Sequence, residues 1–141
     1  MRIAGRNKWI ERNIRMPAGM ITVLIALIVI TPLCGYLFNC GCTWPWEGLA
    51  DDCNYFDQTA DESCPWCASN WAGAMSVAAS IVSGYLLSMS EWKSSVLPEN
   101  KYAEIFIRTL FGLVFFIIVA AVTAWISAEL QQYRDFVFSD G

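Results

Sequence analysis

Two short cysteine motifs carry the spacing of reactive sites: Cys64-Pro65-Trp66-Cys67 and Cys40-Gly41-Cys42. The first matches dithiol redox centres, and a helix N-terminus near Cys67 would favour its thiolate. A thioredoxin-like centre also needs a βαβ setting, which this sequence lacks. The two motifs together offer four thiolates, a set that suits zinc or an iron–sulfur cluster. Reduced four-cysteine sites are uncommon in an oxidising compartment, so the expectation is no metal. Cys34 and Cys53 complete the protein's six cysteines. Disulfides are the remedy for a segment too small to build its own core. Bridges are therefore expected among Cys40, Cys42, Cys53, Cys64 and Cys67. Cys34 either stays unpaired or ties a helix end to the loop. Six cysteines allow fifteen pairings, and the sequence does not choose among them.

The chain has no histidine. His-ligated haem, His-ligated chlorophyll, His-containing zinc sites and His-based catalytic triads are excluded. Asp51, Asp52, Asp57, Asp61 and Glu62 lack the ligand spacing of a calcium loop, so they predict a solvated acidic face. No catalytic residue is expected, no cofactor is required, and bound lipid is the expected small-molecule company.

The elements that must position these cysteines are hydrophobic. Only 16% of the 141 residues are charged, against about 25% in a soluble domain. The mean hydropathy is +0.42. Arg2, Arg6, Lys8, Arg12 and Arg15 crowd the start of the chain, and no Lys or Arg follows until Lys93. Between them lie an uncharged run over 18–38 and a second over 71–89; a third spans 105–126. Each is long enough to cross a bilayer. The basic residues place the N-terminus in the cytoplasm and the cysteine loop outside it. The first run is expected to remain as an anchor, because it is too long for a signal peptide and lacks a cleavage site.

The fold expected is an all-α integral membrane protein with three transmembrane helices. Its N-terminus is cytoplasmic, its C-terminus extracytoplasmic, and a disulfide-stapled loop joins helices 1 and 2. A basic amphipathic interfacial segment covers 1–16, with transmembrane helices over 17–38, 71–90 and 104–127. The extracytoplasmic Cys- and acid-rich loop covers 39–70, a cytoplasmic loop 91–103 and an extracytoplasmic tail 128–141. Pro17 is expected at a helix start, and Pro32 to kink or end that helix. Arg108 is expected to pair with Glu104 and to snorkel to the headgroups.

In the second span Ala72, Ser76, Ser80, Gly84 and Ser88 recur every four residues, a small-xxx-small face for helix packing. That face fits a partner protein or this chain's own helices. Phe106, Phe111, Phe115 and Phe116 give the third span an ordinary lipid-facing composition. In the loop, Trp44, Trp46, Asp51, Asp52, Asp57 and Trp66 are the expected partner-facing residues. Trp46-x-Gly48-Leu49 followed by Cys53 resembles the first extracellular loop of claudins. Ala50 stands where those proteins have a second Trp and a fourth span is missing, so the resemblance implies no function.

The functional expectation is a non-catalytic accessory subunit of a larger membrane complex, respiratory, photosynthetic, monooxygenase or transport. Its partners would be other integral membrane subunits, lipids and a basic soluble protein at the outer face, with no nucleic acid. The location expected is a bacterial inner membrane with the cysteine loop in the periplasm. The alternative is a membrane thiol-redox or metal-handling protein using Cys64 and Cys67.

Overall fold

The computed structural model describes residues 8–49, 51, 53–56, 63–91, 100–133 and 137, with the side chains of 8–13 outside that set. Its elements are α1 (Lys8–Phe38), α2 (Pro65–Ala68), α3 (Asn70–Met89) and α4 (Lys101–Gln131). There is no strand among the described residues. Three helices are long and apolar enough to cross a membrane, as the spacing predicts. α1 and α4 have 31 residues each, about 46 Å of helix, and α3 has 20, about 30 Å. α1, α3 and α4 all pack on one another.

Each long helix turns a stripe of period four inward. On α3 the buried residues are Gly73, Ser76, Ser80, Gly84 and Ser88. Ala72 is half-buried at the edge of that stripe. On α4 they include Gly112, Phe116, Ala120, Ala124 and Ala128. On α1 they are Ala18, Thr22, Ala26, Ile30, Cys34 and Phe38. Small residues at this spacing let helix backbones approach closely. The approach is tightest between α3 and α4. A Cβ on Gly84 would meet the Gly112 carbonyl oxygen at 2.8 Å, and one on Gly112 would collide with the Ser88 hydroxyl. The predicted small face of the second span is therefore used within the chain. Phe116 is fully buried beside Gly84 rather than lipid-facing, while Phe106, Phe111 and Phe115 are exposed.

Several polar groups inside the bundle find partners within it, though the buried Thr31 hydroxyl of α1 has none. The Thr22 and Ser88 hydroxyls are 2.8 Å apart, joining α1 to α3. Thr109 donates to the Ala18 carbonyl at 3.4 Å, joining α4 to α1. The Glu104–Arg108 pair forms as expected, at 3.0 Å. It does not snorkel. Both side chains are only 3% exposed, and Arg108 donates to the Ser90 carbonyl at 2.8 Å. The guanidinium sits on the C-terminal carbonyls of α3, where the helix dipole is negative.

Pro17 does not start the helix and Pro32 does not end it. α1 starts at Lys8 and runs through both Pro17 and Pro32 to Phe38. A proline inside a helix removes one N–H bond, and packing on two neighbouring helices holds the turn regardless. The basic segment is thus continuous with the first span from Lys8 onward; residues 1–7 lie outside the described set.

Removing one half of a buried ion pair leaves the other charge stranded. Arg108→Leu should cost about 3–5 kcal/mol of bundle stability, and the double variant Glu104→Leu/Arg108→Leu much less. Thermal unfolding in detergent measures both; a single variant no worse than the double would remove the pair from this role.

Candidate functional site: a six-sulfur cap

The cysteines gather at the end of the bundle formed by the C-termini of α1 and α4 and the N-terminus of α3. Cys34 lies on the inward stripe of α1, one turn before the helix ends. The chain then turns at Asn39, with φ 47°, and at Gly41, with φ 81°. Gly41 in this left-handed conformation folds the Cys40-Gly41-Cys42 segment so that the two sulfurs stand 3.5 Å apart. The Cys42 carbonyl oxygen passes so close over Gly35 that a Cβ there would strike it. Cys64 stands just before α2 and Cys67 within it.

All six cysteines are free thiols, and five are buried; Cys67 is half-buried. Cys34 Sγ is 3.9 Å from Cys40 Sγ and 3.6 Å from Cys64 Sγ. Cys53 and Cys67 Sγ are 3.7 Å apart. The disulfides expected from the sequence are not formed, since an S–S bond is about 2.05 Å long. Instead the sulfurs meet as a cluster. The Cys64 and Cys67 sulfurs each have a close neighbour outside their own motif, unlike an isolated dithiol pair. Cys34 belongs to the cluster and forms its floor in the helix wall.

The thiols differ in acidity. Contacts with the Cys34, Cys42 and Cys64 thiols hold Cys40 well below the ordinary thiol range. Contacts with Cys34, Cys42 and Cys64 do the same for Cys67. Burial pushes Cys53 up to about 11.

Aromatic and amide groups tie the cap to the helices. Trp66 is buried, only 6% exposed, and packs edge-on against Phe38 at 5.4 Å. That corrects its expected partner-facing role: its indole fills the space beneath the loop. Trp44 and Trp46 are exposed and stack on each other at 5.1 Å. Asp51 is exposed, and Asp52 and Asp57 lie outside the described residues. Tyr133, just beyond α4, donates to the Phe38 carbonyl at 2.7 Å and accepts from Asn54 at 3.1 Å. The Asn54 side-chain amide oxygen accepts from the Cys64 N–H at 2.9 Å, and the Asn54 backbone N–H donates to the Cys40 carbonyl at 2.9 Å. Asn54 and Tyr133 are thus the clamp that sequence reading missed. Neither residue has a local signal, because their partners lie far along the chain.

Set against protein-family models, curated proteins and solved structures, the chain matches none.

Tyr133→Phe removes the hydroxyl that joins α1, the loop and α4, and should cost about 1–3 kcal/mol locally. In reduced, chelator-treated protein, alkylation of Cys53 should accelerate severalfold; an unchanged rate would show that the clamp does not hold the loop.

Proposed function

We propose that this chain is a non-catalytic accessory subunit of a membrane protein assembly, with its six-sulfur cap as a rigid platform at the outer surface. One observation carries this reading. The Glu104–Arg108 pair and the Thr22, Ser88 and Thr109 hydroxyls are spent on internal contacts, yet α3 leaves a small-residue face uncovered. Ala74, Ala78 and Ala79 are exposed beside Met75 and Val82, and Trp71 at the cap end is 81% exposed. Lipid tails fill such a face poorly, and a partner helix fills it well.

In this proposal the basic N-terminal segment is cytoplasmic and the cap faces the periplasm of a bacterial inner membrane. The stacked Trp44 and Trp46 and the acidic Glu47 and Asp51 form the surface offered to a basic soluble partner. The partners within the membrane are other integral subunits, of a respiratory, photosynthetic, monooxygenase or transport complex.

The close contact of all six thiols favours a second reading, metal handling at the cap. There Cys64 and Cys67 serve as two corners of the whole cluster rather than as a separate redox pair.

Purification in a mild detergent tests the subunit reading. The chain should elute with other membrane proteins, and Ala78→Phe should release it while leaving its helical circular dichroism intact. A wild-type chain that runs as a lone stable monomer would sink the proposal.

A further inference from the structure

The geometry points to a site for a tetranuclear copper(I)–thiolate cluster built on the six cap sulfurs. The inference goes beyond the subunit reading and rests on the sulfur positions, so it stands or falls separately from it.

The argument begins with which sulfurs share a triangle. Three triangles have all their sulfurs within 4.8 Å of one another: Cys34, Cys40 and Cys64; Cys34, Cys42 and Cys67; Cys40, Cys42 and Cys53. Any two of them share a single sulfur: Cys34, Cys40 or Cys42. Three triangles on six points related in this way have the connectivity of alternate faces of an octahedron. The fourth such face would be Cys53, Cys64 and Cys67; its Cys53–Cys67 edge measures 3.7 Å, but these three sulfurs are not yet a mutually close set, so a copper(I) ion there would draw Cys64 in. In this arrangement every sulfur is a corner of two faces.

Metals read such geometry differently. Structural zinc takes four ligands in a tetrahedron. Among the described residues the mutually close sulfurs form triangles, and no tetrahedral set of four stands ready. An iron–sulfur cluster places inorganic sulfide between its thiolates, and sulfurs already at 3.5–3.9 Å leave no room for it. Copper(I) is soft, prefers thiolate, and is satisfied by three sulfurs in a plane. A metal–sulfur bond of about 2.3 Å sets the edge of a trigonal site at about 4 Å. The measured separations of 3.5–3.9 Å suit that edge and equally the edge of about 3.8 Å of a tetrahedral site, so the grouping in threes, not the distance, is what favours copper(I). One copper(I) on each of the four alternate faces lets every thiolate bridge two ions.

The chemistry balances without an oxidant or reductant. Six thiols and four copper(I) ions give the cluster and six protons, and both copper and sulfur keep their oxidation states. The product carries a net charge of −2. Two features suit that charge. α3 begins at Asn70, three residues after Cys67, so its positive end faces the cap. Trp66 Nε1, beside Cys67 in α2, is buried without a hydrogen-bond partner and is a donor in reserve. Cys67, the one half-buried sulfur, is where an incoming ion is first exchanged onto the site.

The competing chemistry is oxidation. Cys34–Cys64, Cys40–Cys42 and Cys53–Cys67 divide the six sulfurs into three close pairs, so three disulfides would use the same residues.

The test uses the full chain in detergent, reduced, under anaerobic conditions, titrated with copper(I) supplied as its acetonitrile complex against a chromophoric copper(I) chelator. Uptake should saturate at four ions per chain, with the emission of solvent-shielded copper(I)–thiolate and with all six thiols protected from alkylation. Cys53→Ser removes one corner and therefore two faces, so capacity should fall from four ions to two. Cys67→Ser, at the half-buried corner, should do the same and serves if the first variant does not fold. The assignment is overturned by saturation at one ion with thiols left open to alkylation, by a folded, reduced chain that takes no copper, or by a serine variant that still holds four. Protein isolated with three disulfides that reduce only on unfolding would also overturn it.

Discussion

The approach of α3 to α4 at Gly84 and Gly112 is the contact on which the remaining structure depends. No side chain separates the two backbones there. In a membrane the hydrophobic effect does not drive helix against helix, so van der Waals fit and internal hydrogen bonds must. At this crossing the Ser88 hydroxyl reaches the Gly84 carbonyl at 3.0 Å and the Arg108 carbonyl at 3.2 Å. α1 then lies against both helices, through Thr22 and Ala18. With three helix axes fixed in this way, the cap-side ends of all three are fixed too, and the cap is assembled on those ends.

The cap has almost no regular structure of its own. Among its described residues the only helix, α2, has four residues. What shapes it is a set of tight backbone contacts: the Cys42 carbonyl over Gly35, and the Trp66 carbonyl over Gly73. Both glycines sit near the cap ends of their helices and let the loop lie flat on the bundle. The sulfurs converge because the loop is pressed on a helix wall that already presents Cys34. A small polar-loop segment without its own core is thereby held by the membrane helices beneath it.

Much of the helical framework is legible in the sequence because it rests on local pattern: uncharged runs, the Glu104–Arg108 spacing and the small stripe of α3. The stripes of α1 and α4 have the same period of four, but Leu, Ile, Val and Phe around them mask it. Phe116 shows the limit. A phenylalanine reads as lipid-facing unless one knows that Gly84 stands opposite. Arg108 shows another limit, since its fate depends on where α3 ends. The cysteine site is half legible. The clustering of sulfurs in one segment is plain, whereas their triangles come from Gly41, Asn54 and Tyr133, whose effects are non-local.

The clamp at Tyr133 has a consequence for the order of events during synthesis. Its hydroxyl bonds a carbonyl 95 residues earlier and an amide 79 residues earlier. Gln131 likewise donates to the Pro65 carbonyl at 3.1 Å. The loop emerges long before these groups exist. Until α4 has been inserted, the lid over the sulfurs lacks its last supports, and the thiols face whatever the compartment contains. α4 thus closes the cap that the earlier part of the chain leaves open.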